Sequence, residues 1–481
     1  VSQIIAARPP GTGLASASAE GGGTANPVVA LAELVERATF DDLPQLAVER
    51  TKMFLLDSLG CGIAGTSAPK VQALLDAIGR WGASGEATVW GDGRRVPAPQ
   101  AAIANGYQIH ALEWDCVHEP AVVHPMATLL PALLANAERR GAEGRPVDGR
   151  ALILSIALGV EIAAMIGAAS KSVMRFFRPA TCGGFGVVAG LGSMERLDAV
   201  TIMDAFGIQY GQTSGTMQAH AEGSMLLGLQ VGFNGRAGLT SVDLARAGVT
   251  GPHDVLTGQY GYYRLFESEH DIPAWWAKLG REWQVTRLSH KPFPSGRLTH
   301  AVVDAILQAR AALGFGADDV ASICAEVPPL THRLVGRPDV PDPAPNYARL
   351  CIPFVAAATL ADGGCTPESF APARLRDPRL HEIAARVRVS LDPNPDVNAL
   401  WPQRVAISLA DGRRWERTIS QPIGHPDNPL GREQHLAKFR RCWRIGGMDE
   451  AQGERLIKAI DALEAIGDAR EVVALLARGR H

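Results

Sequence analysis

The chain is short of charge, of aromatics and of cysteines placed to work together. Its seven cysteines (Cys61, Cys116, Cys182, Cys324, Cys351, Cys365 and Cys442) are odd in number and widely spaced, and no CxxC pair occurs. That argues against a disulfide framework and against a structural zinc site, and it fits a reducing cytoplasm. The net charge is −3 and Lys and Arg form no basic run, which makes nucleic acid and anionic membrane poor partners. No apolar run reaches the roughly 18–20 residues of a membrane span. The nearest, 151–169, is interrupted by Glu161. Residues 1–26 lack the basic start and apolar stretch of a secretion signal. Their Gly, Ala, Ser and Pro content predicts a flexible extension.

Against this background one stretch stands out. Asn105–Ala137 packs His110, Glu113, Asp115, His118 and His124 into fifteen positions, in a chain that is only 20% charged. Titratable groups at that density suit proton transfer, because burial and neighbours tune their pKa values. The stretch therefore points to an enzyme.

From 27 to 282 the pattern predicts helices: 43–64, 69–83, 97–114, a helix from Pro125 to Arg140, an apolar helix over 148–168, and further helices over 198–213 and 231–247. A short extended piece falls at 87–91. The glycines of 60–65 and of TCGGFGVVAGLG (181–192) look like phosphate-binding loops at a glance. No strand precedes either and no Lys-Ser/Thr follows the first, so close helix packing is the better reading. Beyond 283 the runs 285–289, 321–328, 386–391 and 404–419 are strand-like, the last folded at Asp411-Gly412 into a hairpin. Helices are predicted at 298–312, 347–361 and 378–385, then at 432–442 and 448–478. The fold expected is mainly α: a large all-helical domain from 27–282 and 421–481, with a smaller α+β lid domain, 283–420, inserted before the C-terminal helices.

Several segments together resemble the MmgE/PrpD family: DSLGCGIAG (57–65), AAIANGYQIHALEWD (101–115), HPMATLLPALLANAE (124–138), TCGGFG (181–186), GRAGLTSVDLARAGVTGP (235–252), KPFPSGRLTH (291–300) and HPDNPLGREQHLAKF (425–439). The resemblance covers most of 30–440. It implies a helical domain with a lid, a homodimer, an active site between the domains, and proton chemistry beside a carboxylate without organic cofactor or metal. Residue by residue, Glu113 and Asp115 match the family's acidic pair, with Glu113 where Asp is usual and Cys116 replacing a further Asp. His124 matches a catalytic His-Pro histidine and Lys291 a lysine before Pro-Phe-Pro. Other positions depart. A second histidine falls at Phe177 or Arg178, a lysine near Leu227, a histidine at Gln230 and a tyrosine at Phe354.

Taken singly, Asp115, His124, Lys291 and Glu113 are the catalytic candidates. On one regular helix Glu113 and Asp115 would point about 200° apart, which favours Asp115 for the site and leaves Glu113 an orienting role unless the helix ends between them. Arg178, Arg297, His118 and Gln230 are the substrate-binding candidates, Arg178 as a bidentate carboxylate clamp in place of a histidine. His118 also reads as a loop residue. His110 reads as a packed core histidine, and His220 and Glu222 as possible replacement polar groups. Cys182 lacks the partners of a nucleophile. The function expected is a cofactor-independent lyase, of dehydratase or decarboxylase type, acting on a small polycarboxylate or related acid. An epimerase or isomerase, or a non-catalytic binding protein of the same fold, is the alternative.

Overall fold

The computed structural model describes residues 26–478 and is mainly α, with one small mixed sheet in the C-terminal part. All but the last residue of the predicted extension, 1–26, lies outside the described residues.

Helix Gly149–Ala168 runs through the middle of the helical part, buried almost throughout, against helix Gly183–Glu195. Contrary to expectation, it is long and apolar enough to cross a membrane by length and composition, but 89% of its most apolar window is buried inside this fold. Its buried charge, Glu161, accepts backbone N–H groups of Gly280 and Gln284. Burial outweighs those bonds and raises its pKa to about 7.

The glycines of 181–192 serve packing, not phosphate binding. A Cβ on Gly186 would sit 2.5 Å from the Gly159 carbonyl oxygen and 2.9 Å from Ala163 Cβ, atoms of the facing helix. Ala is the better helix former by about 1 kcal/mol, yet the clash is with backbone. Gly186→Ala is therefore expected to lower stability by a net ~1–3 kcal/mol, read as a shift of the urea midpoint at unchanged slope.

Helix Ala98–His110 packs between Pro125–Ala142 and Leu226–Arg246. It stops at His110, four residues short of the predicted end, and Glu113 then adopts φ +53°. The chain becomes a two-residue strand, Val117–His118, which pairs antiparallel with Leu288–Ser289. That ladder joins the acidic segment to the turn carrying Lys291. The predicted strand 285–289 is mostly a 3₁₀ turn, Gln284–Arg287.

The C-terminal sheet has the order Val387–Leu391, Val320–Val327, Gln403–Leu409, Arg414–Ile419. The first pair is parallel and the others are antiparallel. Gly412 at φ +89° turns the expected hairpin. Helices His300–Leu313 and Ile352–Asp362 pack together beside it. The chain then returns to the helical part, where Arg432–Ile445 lies against Gln45–Gly65. The predicted helix 448–478 is broken into Glu450–Asp461, a turn at Leu463–Ala465, and Arg470–Ala474.

Candidate active site

The early end of helix Ala98–His110 decides the geometry. Because both acids lie beyond it, the helical periodicity that would set Glu113 and Asp115 on opposite faces does not apply. Both turn toward Lys291. Its Nζ lies 3.1 Å from Glu113 Oε2 and 3.8 Å from Asp115 Oδ1, and its side chain is fully buried. A non-glycine residue held at positive φ is a strained position kept by its surroundings. Here the Lys291 pair holds Glu113, while the neighbouring Trp114 is fixed from two sides. Lys438 Nζ donates to its carbonyl at 2.7 Å and its indole N–H donates to the Pro292 carbonyl at 3.2 Å.

Asp115, with no exposed surface, accepts from two histidines. His110 Nδ1 lies 3.0 Å from Oδ1, and His124 Nδ1 lies 3.0 Å from Oδ2. An ionised carboxylate only accepts, so each ring carries its proton on Nδ1 and each Nε2 is directed elsewhere. Both rings line one cavity, their centroids 4.6 Å apart. His124 Nε2 presents a lone pair at the wall when the ring is neutral. His110 Nε2 lies 3.3 Å from Glu113 Oε1 without the alignment of a hydrogen bond.

The two rings are pushed in opposite directions. Burial lowers both. For His110 the carboxylates of Asp115 and Glu113 outweigh burial, and its pKa rises above the ordinary imidazole value. For His124 burial prevails with help from the Lys291 charge, against Asp115, and its pKa falls. His124 also caps the N-terminus of the 18-residue helix Pro125–Ala142, whose positive end disfavours an imidazolium. The two shifts separate the pair, so that His110 holds its second proton to higher pH than His124 does. Burial pushes the two acids upward, but the surrounding cations prevail: Glu113 is held at about 2, chiefly by Lys291, and Asp115 well below the usual range by the two histidines and Lys291.

The rest of the wall comes from both parts of the chain. Phe177 and Leu227, where the family resemblance implied a histidine and a lysine, both line the cavity. Phe354, where it implied a tyrosine, does not. It is buried beside Phe370 and His381. His220 lies at the wall as well. Arg337 Nη2 can only donate, so His220 Nδ1 accepts from it at 2.9 Å, leaving the Nε2–H as the free donor. Burial and Arg337 hold His220 at about 3, which makes it a neutral donor and not an acid–base group. Glu222 instead bonds Gln218 at the surface.

Four substrate-binding expectations change. Arg178 is not a carboxylate clamp for substrate. Its guanidinium forks onto Glu267, Nε to Oε1 at 2.8 Å and Nη2 to Oε2 at 2.9 Å, in a buried pair away from the cavity lining. The fork geometry that suits it to a substrate acid suits Glu267 equally. His118 is a strut: its Nε2–H donates to Gln284 Oε1 at 3.0 Å, its Nδ1 accepts from Ala121 N–H, and burial lowers it to about 4. Gln230 accepts from the Thr216 N–H and lies behind the wall. Arg297 does line the cavity, but its Nε donates to Glu119 at 2.7 Å and its terminal nitrogens to the carbonyls of His290, Pro422 and Ile423. Glu119, unremarked in the sequence, also accepts from Ser289 Oγ and Trp401 Nε1, both at 2.6 Å, tying the 288–297 turn to the 401 loop. His110 is both buried, as expected of a core histidine, and part of the cavity wall. Its five-residue spacing to Asp115 was visible. That the helix stops between them was not.

Among the described residues, two side-chain sets lie close enough to hold a metal ion: His110, Asp115 and His124, and Asp57, His290 and His435. Each already has a lysine ammonium beside its carboxylate, Lys291 at 3.8 Å from Asp115 and Lys438 at 2.7 Å from Asp57. In both, a cationic head stands beside the acid that would bind the ion.

The MmgE/PrpD N-terminal domain profile matches residues 29–274, and the MmgE/PrpD C-terminal domain profile matches 293–465. The chain is 27% identical to cis-aconitate decarboxylase of Mus musculus over 447 residues, covering 89% of each. It is 26% identical to the Homo sapiens protein of that name, covering 90% of this chain and 91% of the relative. To the cis-aconitate decarboxylase of Aspergillus terreus it is also 26% identical, covering 91% and 93%.

Proposed function

Because this chain belongs to the MmgE/PrpD family, we propose that it is a lyase of that family, acting on a small carboxylic acid by proton transfer beside the carboxylate. One observation carries the reading: two histidines on one carboxylate, pushed apart so that one is an acid and the other a base at the same pH. Separated pKa values of this kind identify acid and base roles. His124 Nε2 removes a proton from the substrate. His110, kept protonated by Asp115 and Glu113, donates one or stabilises the negative charge that develops on the acid. Lys291 compensates the two carboxylates and holds them in place. All of these steps use side chains alone.

The decarboxylase form is favoured over dehydration because the curated relatives above carry that name. In that form, for an unsaturated acid, His124 takes a proton from the carbon beyond the double bond and the His110 imidazolium gives one to the carbon beside the carboxylate. The bond to the carboxyl carbon then breaks, carbon dioxide leaves, the double bond shifts back, and its far carbon recovers the proton held on His124, while His110 is reprotonated from solvent. A panel of unsaturated and hydroxy acids in deuterated water tests the class. Carbon dioxide release with one deuterium incorporated is expected. Water release identifies a dehydratase, and exchange without loss of either identifies an epimerase and rejects the lyase.

The paired shifts also set the pH profile. His124 stays a base below pH 6.5 because its folded pKa is lowered, and His110 stays an acid above 6.5 because its own is raised. The rate kcat/KM is therefore expected to hold level through pH 6.5, with its acid limb below and its basic limb above. A profile from pH 5 to 9 with a single limb centred near 6.5 would contradict this assignment.

A further inference from the structure

We infer that the acid accepted by this site carries one carboxylate on an apolar body, and not two or three carboxylates. The inference rests on the lyase reading above and narrows its substrate. Three features carry it.

The first is the wall. Away from the histidines the cavity is faced by hydrocarbon, thioether and aromatic groups, among them Met174, Phe177, Met217, Leu227, Leu334 and Leu400. They come from both the helical part and the C-terminal part. Such a wall binds an alkyl or alkenyl body through the area that body removes from water.

The second is the state of the cations. Lys291 lies between Glu113 and Asp115, and Arg297 is held by Glu119 and three backbone carbonyls. Neither cationic head is free for a substrate carboxylate. Arg337, behind His220, is stacked on Tyr347 and donates to the His220 and Leu334 carbonyls.

The third is the balance of charge. Three carboxylates, Glu113, Asp115 and Glu119, meet two committed cations and the His110 imidazolium. The other cations near Glu113, Arg337 and Arg349, have no carboxylate partner among the described residues, but neither lines the cavity. One substrate carboxylate finds the His110 imidazolium and the His220 Nε2–H, whose ring lies near enough to Glu113 and His110 to feel their charge. A second or third would be desolvated against apolar wall and carboxylates, where no free cationic head lines the cavity to meet it.

Matched six-carbon probes test this: hexanoate, adipate and tricarballylate, each titrated into the protein by calorimetry at pH 7. Hexanoate is expected to bind at least tenfold more tightly than either of the others. Leu227→Lys, which places an ammonium at the cavity wall, is expected to close that gap at least fivefold by improving adipate and tricarballylate. The wild-type ranking stands by itself if the variant does not fold. Tighter binding of adipate or tricarballylate overturns the inference, as does the lack of saturable binding by all three. Neither result touches the lyase reading, which fails separately if no acid of any class loses carbon dioxide or water in the deuterated-water panel.

Discussion

Asp115→Asn is expected to lower kcat/KM by on the order of 10³–10⁴-fold while leaving the fold in place. The magnitude is that seen when a carboxylate orienting a catalytic histidine is made an amide. The physical reason is tautomeric. Asp115 accepts from Nδ1 of both His110 and His124. An asparagine offers one oxygen and one NH₂, so it donates to one of the two rings. If that ring is His124, its Nδ1 becomes the acceptor and its Nε2 carries the proton, which faces the substrate with a donor where a base is needed. If it is His110, the ring is held neutral and the acid is lost. Removing the charge also lowers the pKa of His110, whose elevation depends on Asp115 first and Glu113 second. Kinetics on any substrate found in the acid panel, alongside a thermal melt, check this. Activity within tenfold of wild type in a folded variant would remove Asp115 from the mechanism.

Lys291→Met should cost about 3 kcal/mol of stability at pH 7, in a way that depends on pH. The lysine is fully buried between two buried carboxylates. Taking one partner from a buried pair leaves an uncompensated charge, at roughly 3–5 kcal/mol. The sign of the pH dependence follows from Glu113. Its folded pKa is about 2, below the ordinary 4.5. The stability it contributes is therefore present above about 4.5 and is lost as pH falls toward 2. In the variant the lysine no longer holds that pKa down, and the carboxyl protonates more readily. The gap between wild type and variant should be widest near neutral pH and should narrow below about 4.5. Urea unfolding at pH 7, 5 and 4 measures it. An equal gap at all three would mean that Lys291 acts through packing alone.

These two predictions fall on residues visible in the sequence, and they show where legibility ended. Asp115, His124, Glu113 and Lys291 stood out as titratable groups in a weakly charged chain, and the structure brings all four into one buried network. Arg178 stood out equally and went elsewhere. Its partner Glu267 is 89 residues on, in a segment with no pattern to mark it. An arginine's chemistry is local, but the carboxylate it meets is chosen by the path of the chain. Phe354 failed for the same reason: its helix was foreseen, but the face it presents depends on neighbours near Phe370 and His381.

The sequence by itself determined the family, the mainly α class, the helices around Asn105–Ala137 and the hairpin at Gly412. The family rests on the resemblance of its matched segments, and the elements on local period, capping and turn chemistry, which act over a few residues. Tertiary structure alone decided what that stretch does. It ended the helix at His110, set Glu113 at positive φ, and through the Val117–His118 ladder delivered Lys291 across 178 residues to Glu113. It also split the two histidines into acid and base. A pKa is set by burial and by charges within a few ångströms, and those distances exist only once the chain has closed on itself.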